Sequence, residues 1–230
     1  MKVEIVTLFP RFFDSIFDQS IMQRARDAGF LDIVVHDLRE YTIDKHHQAD
    51  DYRFGGGPGM LMKPDPFFRV LEKLTSAASR RPLIVFPTPQ GKPFHQADAI
   101  ELSRESHLIF LCGHYKGIDQ RVIERWVDRE YSLGDYVLTG GEAPTAVIVD
   151  AAARMIPGVL GDFDSARGDS FYEGMLDGPH YTRPEVVDGR GVPGVLMTGH
   201  HKNIEQWRLS VSKFLTRRSR PDLVKEKSGK

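Results

Sequence analysis

A chain of 230 residues, 40% of them hydrophobic, is long enough for one good core and a small second lobe. Its longest apolar stretch, 143–156, is interrupted by Asp150 and Arg154, which excludes a membrane span, and its single cysteine, Cys112, excludes a disulfide framework or a multi-cysteine zinc site. The net charge of −1 hides an asymmetry: residues 199–230 carry nine Lys/Arg and three Asp/Glu, a net +6 against −7 for the rest, which suits either phosphate binding or a solubilising tail.

Residues 3–8 read as a short strand. Pro10 then opens a helix that is amphipathic over 12–28 and stopped by Gly29. The pattern predicts a second strand at 33–35, a helix at 66–78, and a third strand at 83–86 running into Pro87-Thr88-Pro89-Gln90-Gly91. Helices follow at 95–105, 119–126 and 143–155, with a buried strand at 108–111 between the first two. Strands separated by helices predict an α/β fold, a parallel sheet with helices on both faces. Residues 157–179, rich in Gly, Asp and Ser, are too long for an ordinary connection and read as a functional loop or linker. Beyond them, 204–215 is one amphipathic helix in a mostly polar segment, which predicts a small helical second lobe. Glu4 interrupts the apolar N-terminal run and no cleavage site follows, so a cytoplasmic address is expected.

In open α/β sheets the chemistry gathers outside the carboxyl ends of the strands. Three such ends are unusual here: Pro87-Thr88-Pro89-Gln90-Gly91, Gly113-His114-Tyr115-Lys116-Gly117, and Leu133-Gly134-Asp135-Tyr136-Val137-Leu138-Thr139-Gly140-Gly141 before a helix. Glycines admit a ligand to the backbone, whose N–H and C=O groups can read an adenine edge, so a nucleoside pocket is expected. Any one of these loops alone is more simply a tight turn; three together favour the pocket. Gly189-x-Gly191-x-x-Gly194 spells a dinucleotide fingerprint but contains Pro193 and opens no helix. Asp44, His46, His47, Asp50 and Asp51 crowd the segment before Gly55-Gly56-Gly57-Pro58-Gly59. Adjacent histidines rarely serve one ion, which favours a solvated loop over a metal site, while the glycines suit a loop that closes on a substrate. Gly168-Asp169-Ser170 with Asp177 and His180 resembles fragments of a Ser-His-Asp esterase, but in that class the two blocks lie at opposite ends of the chain.

Taken in order, several motifs resemble the TrmD family of tRNA (guanine-N1)-methyltransferases, of the trefoil-knotted SPOUT class, over nearly the whole chain. They are Leu8-Phe9-Pro10, Gly55-Gly56-Gly57-Pro58-Gly59-Met60, Pro89-Gln90-Gly91, Gly113-x-Tyr115-x-Gly117-Ile118-Asp119 and Gly134-Asp135-Tyr136-Val137-Leu138 with Gly140-Gly141-Glu142. Arg154-x-Ile156-Pro157-Gly158-Val159-Leu160-Gly161, Asp169-Ser170-Phe171 and His180-Tyr181-Thr182-Arg183-Pro184 complete the series.

The resemblance implies a deep knot over about 86–141, S-adenosyl-L-methionine bound bent against it, and methyl transfer to N1 of the guanosine at tRNA position 37. It implies a knotted methyltransferase domain over 1–160, a linker over 161–179 carrying the catalytic Asp, and a small, mainly helical tRNA-binding domain over 180–230. Donor contacts fall on Pro87, Thr88, Pro89, Gln90, Gly113, Tyr115, Leu133, Gly134, Asp135, Tyr136, Val137, Leu138, Gly140, Gly141 and Pro144. Asp169 matches the general base for the N1 proton, and Arg154 the cation that stabilises charge on guanine O6. Without the resemblance they would read as a helix N-cap and an ordinary helix C-terminal cation. Contacts to the anticodon arm of tRNA are expected from Gly55, Gly59, His180, Arg183, Lys202, Arg208, Arg217, Arg218 and Arg220. The resemblance also implies an obligate homodimer that shares each active site between subunits. Two features depart from it: many relatives carry Glu where this chain has Lys116, which leaves magnesium dependence open, and Pro-Tyr where it has Arg53-Phe54. A serine esterase using Ser170 and a non-catalytic RNA-binding module are the alternatives.

Overall fold

The structure, a computed structural model, describes residues 1–161 and 167–225, and the chain divides into two compact units at Gly161. In the first unit β1 (Lys2–Thr7), β2 (Asp32–Asp37), β5 (Leu83–Pro93), β6 (His107–Leu111) and β7 (Arg129–Ser132) form one sheet. The order is β2-β1-β6-β5-β7, and every pairing is parallel. β3 (Asp50–Tyr52) and β4 (Met60–Met62) pair apart from it as an antiparallel hairpin.

Side chains alternate across the sheet, as burial on both faces requires. Val3, Ile5, Val85, Leu108 and Phe110 join one core with residues of α1 (Ser20–Asp27), α3 (Gln96–Leu102) and α5 (Glu142–Ala153). Val6, Ile84, Ile109 and Leu111 join the other with residues of α2 (Pro64–Ala77) and α4 (Gln120–Trp126). Pro64 opens α2, and Phe67, Val70, Leu71 and Leu74 recur at helical spacing on its buried face. Each such side chain stabilises the fold by about 2 kcal/mol of burial. The expected α/β class with a parallel sheet between helices is therefore observed.

Local readings shift in three places. The single helix expected over 12–28 is instead a 3-10 turn, Pro10–Phe13, followed by turns and then α1. Ser20, the first residue of α1, has φ 53°, so no single helix can run through it from residue 12, and the turns bring the stacked rings of Phe13 and Phe17, 5.7 Å apart, into the core. The strand expected at 83–86 continues to Pro93. The hairpin strands and β7 carry no apolar alternation strong enough to announce them; Asp-Asp-Tyr and Arg-Glu-Tyr-Ser become strands through their partners.

The second unit centres on α6 (His201–Ser219), with a two-residue hairpin, β8 (Val186–Val187) and β9 (Arg190–Gly191), and a final turn, α7 (Asp222–Lys225). Leu176 anchors the preceding segment to α6: its N–H donates to Thr216 Oγ1 at 2.9 Å, and its C=O accepts the Ser212 hydroxyl. Among the described residues no helix is long and apolar enough to cross a membrane.

One polar group sits deep at the sheet. Glu4 is 3% exposed, ion-paired with Lys2, and flanked by His36 Nε2 at 3.9 Å and His107 Nε2 at 3.4 Å. Burial alone would raise its pKa, but His36 and Lys2 outweigh burial and hold it at about 2. Burial pushes the His107 pKa down, despite Glu4. Both groups bind protons less readily folded than unfolded, so their contributions are complete above their ordinary values of 4.5 and 6.5 and are lost as pH falls. Thermal melts followed by circular dichroism should show stability declining below pH 6.5, and falling further between 4.5 and about 2 as Glu4 protonates. Glu4→Gln should shrink the lower stage, leaving the part that Asp44 and Asp119, whose pKa values are also lowered, contribute. At neutral pH it should destabilise by more than the ~1 kcal/mol of a surface pair and less than the ~3 kcal/mol of a fully buried one, since Lys2 is half in solvent.

Candidate active site

Three loops at the carboxyl edge of the sheet enclose a pocket, and each is built around a close backbone approach. Pro87 and Lys92 both pair with Tyr131, so the segment between them leaves the β5–β7 ladder and rejoins it. Gly91 permits the return, because a Cβ there would lie 2.4 Å from the Tyr131 nitrogen. The loop after β6 is bonded on two sides. Toward the third loop, His114 and Gly140 form an antiparallel bridge and the Gly141 N–H donates to the Gly113 C=O at 2.9 Å. Toward the β3–β4 hairpin, the Lys116 N–H donates to the Met60 C=O at 3.0 Å and the Met62 N–H to the Gly117 C=O at 3.1 Å. In the third loop Gly134 adopts φ 150°, with the Tyr136 ring lying against it.

The cavity measures about 500 Å³, within the ordinary range for a small-molecule site. Pro87, Thr88, Pro89 and Gln90 form one wall, Gly113 and Tyr115 another. Leu133, Gly134, Tyr136, Val137, Leu138, Gly140, Gly141 and Pro144 close it. Of the residues expected to contact a donor, only Asp135 is absent from the wall; its side chain is exposed. His114 and Lys116, from a loop expected to border the pocket, also line it, as do Ile118, Ile123 and Leu61, which were not foreseen. His114 occupied a variable position of its motif, so nothing within that loop singled out its side chain. Leu61 and Ile123 come from elements with no periodic link to the loops.

No lining residue is an Asp or Glu, while Lys116 contributes a cation. This donor set does not suit a divalent ion, and among the described residues no cluster of three or more His, Cys, Asp or Glu side chains is arranged to hold one. Cys112 lies buried behind the wall, where burial pushes its thiol well up, so it is no nucleophile.

The remaining expected residues lie elsewhere. Arg154 caps the C-terminus of α5, ten residues beyond Pro144 and so about 15 Å along the helix, farther than its own side chain spans. In the second unit Asp169 is exposed just before Ser170. The Ser170 hydroxyl accepts the Asp177 N–H at 2.9 Å, and His180 pairs with Asp177 at 2.7 Å. Among the described residues no hydrogen bond joins His180 to Ser170, so the serine lacks the base an esterase needs. His180, Arg183, Lys202, Arg208, Arg217 and Arg218 are exposed, the last four on α6, and Arg220 pairs with Asp222 at 2.7 Å. In the first unit Gly55 and Gly59 have φ of 82° and 91°, and Gly59 packs under the Lys116 side chain.

Gly141 gives a direct test of the loop closure. Its φ of −80° would suit any residue, but an added Cβ would lie 2.7 Å from Cys112 Cα and 2.9 Å from the Gly113 nitrogen. Gly141→Ala should destabilise by about 1–3 kcal/mol in chemical denaturation. Gly161→Ala, which meets nothing within 4 Å, should stay within about 0.5 kcal/mol of wild type. Equal stability of the two variants would remove the close approach from the account.

Comparison with known proteins agrees with this geometry. The family model described as tRNA (Guanine-1)-methyltransferase TrmD matches residues 1–226. A tRNA (guanine-N(1)-)-methyltransferase of Chlorobium luteolum is 49% identical over 226 residues, covering 98% of this chain and 97% of its own. Counterparts of the same name from Bacillus cereus and Bacillus anthracis are 48% identical over 227 residues, covering 99% of this chain and 93% of theirs. With nearly the whole chain matched and the family's loop motifs assembled around one pocket, the chain belongs to the tRNA (guanine-1)-methyltransferase TrmD family.

Proposed function

We propose that this chain methylates N1 of the guanosine at tRNA position 37, beside the anticodon, with S-adenosyl-L-methionine as donor. The observation that carries this reading is the near-complete family match joined to a single pocket made from fourteen of the fifteen residues expected to hold the donor. The backbone of the three loops suits an adenine edge, and the Gly-lined floor admits a ligand to the main chain. When bound, the donor supplies an electrophilic methyl group; the chain's part is to hold it, to take a proton, and to stabilise charge. A knot over 86–141 is part of this reading, supported by the close passage of Gly141 across Cys112 and Gly113.

Guanine N1 is protonated at neutral pH, so its lone pair must be freed before it attacks. The pocket wall offers no carboxylate, and the chain's own Arg154 is about 15 Å along α5 from Pro144. In line with the shared site that the family resemblance implies, we take both groups from a second copy. Its Asp169 carboxylate takes the N1 proton, and its Arg154 guanidinium bonds the developing O6 anion. Phe9, Phe12 and Ile16, around a 3-10 turn that packs on α5, and Val147 on α5 itself leave apolar surface exposed for that copy to cover. In this scheme residues 1–160 bind the donor, 161–179 carry the base, and the exposed cations of 180–230 hold tRNA phosphates in the cytoplasm.

Labelled donor with transcripts carrying G or A at position 37 tests the reaction itself: only the G transcript should be methylated. Asp169→Asn should leave donor binding intact in calorimetry and slow methyl transfer by at least about a hundredfold. Sharing of the site is tested by mixing two inactive variants, Asp169→Asn and Gly113→Leu, whose side chain would strike Phe86 in the pocket. Random exchange gives about half heterodimers, each with one intact site, so activity should recover to roughly a quarter of wild type. Absence of recovery, with heterodimers confirmed by native mass spectrometry, would place base and donor on one chain.

A further inference from the structure

Behind the pocket wall lies a carboxylate that the scheme above does not use. Glu142, 4% exposed, stands in the first turn of α5, where the helix dipole favours an anion. Its Oε1 accepts the Thr7 hydroxyl at 2.5 Å and its Oε2 meets His114 Nε2 at 2.9 Å. Thr7 is fully buried, and its Oγ1 also accepts the Phe9 N–H at 2.9 Å, so its proton is directed to Glu142. A carboxylate only accepts, so the imidazole presents an N–H to it at Nε2.

The ring has little freedom. Phe9 packs on it with centroids 4.6 Å apart, and Gly140 passes beneath the His114–Glu142 bond, where a Cβ would lie 2.1 Å from Nε2 and 2.4 Å from Oε2. The end of β1, the loop after β6 and the start of α5 thus converge on one carboxylate, and the group they orient is a pocket-wall residue. Burial of a carboxylate carries a desolvation penalty that an apolar linker would not. Here two charge-assisted hydrogen bonds offset it, and one of them is aimed at the wall.

We propose that Glu142 is a positioning residue for the donor pocket: it fixes the tautomer and orientation of His114 and, through that ring, the wall formed by 113–117. The inference rests on the donor reading given above. Glu142→Gln keeps the size and still accepts from Thr7, but its amide must donate to His114 and so moves the imidazole proton to Nδ1. ¹⁵N NMR of the ligand-free protein reads the tautomer, and steady-state kinetics with S-adenosyl-L-methionine and tRNA read the pocket. Wild type should show the Nε2–H form and Glu142→Gln the Nδ1–H form. The donor KM of the variant should rise roughly tenfold, with kcat within about threefold and the tRNA KM unchanged. Thr7→Val, which removes one of the two anchors, should raise the donor KM in the same direction by a smaller factor, and it serves if Glu142→Gln does not fold. An Nδ1–H tautomer in wild type, or an unchanged donor KM in the folded variants, overturns the proposal. A wild-type protein that methylates no tRNA would overturn the functional reading itself, a result distinct from an active wild type with unaffected variants.

Discussion

The pocket exists because separate stretches of backbone meet at distances that no side chain would tolerate. Gly141 lies against Cys112 and Gly113, Gly140 beneath the His114–Glu142 bond, and Gly91 against Tyr131. At each point a methyl group would fall within 3 Å of atoms that cannot swing away or are themselves held by hydrogen bonds. Close packing transmits such a displacement instead of absorbing it. The third loop could not then close on the second, and the carboxyl edge of the sheet would present open turns in place of a cavity.

Such approaches need a rigid base, and the two cores supply it. Val3, Ile5 and Phe110 on one face and Val6, Ile109 and Leu111 on the other hold β1 and β6 from both sides, so the ends of these strands are fixed relative to each other. Thr7 ends β1, His114 lies three residues past β6, and Glu142 opens the helix that covers the first core. Hydrophobic burial, which has no direction of its own, thereby delivers two directional hydrogen bonds to one carboxylate.

The electrostatics of the wall bear on how the reaction is organised. The first unit offers glycine backbone, aromatic rings and Lys116, but no acid, around the cavity. A wall without a carboxylate suits the binding of an activated donor and leaves proton removal to a group brought from elsewhere. Under the proposed scheme that division separates holding the donor from activating the base, so that methyl transfer waits for the tRNA and the second copy together. Lys116 fits the same pattern, since a cation at that position cannot take the place of the missing acid.

The α/β class, the alternation of strands and helices, and the identity of the three loops were legible in the amino-acid order, because period-2 and period-3.6 patterns and glycine-rich strand ends are local properties. The motifs in their spacing were enough to point to the family. Other features depended on partners distant in the chain. Arg129–Ser132 becomes a strand only beside β5, and 12–28 breaks because Phe13 and Phe17 are drawn into a core built from β1, β6 and α5. Asp135 shares a loop with pocket residues yet does not line the pocket, a difference that its local sequence does not announce. The sequence by itself determined which loops gather at the strand ends; only the tertiary structure decided that the His114 side chain lines the cavity they enclose and that it bonds Glu142, 28 residues further on. The reason is that a turn's propensity is written in neighbouring residues, whereas a hydrogen bond between loops exists only after the sheet has set the distance between them.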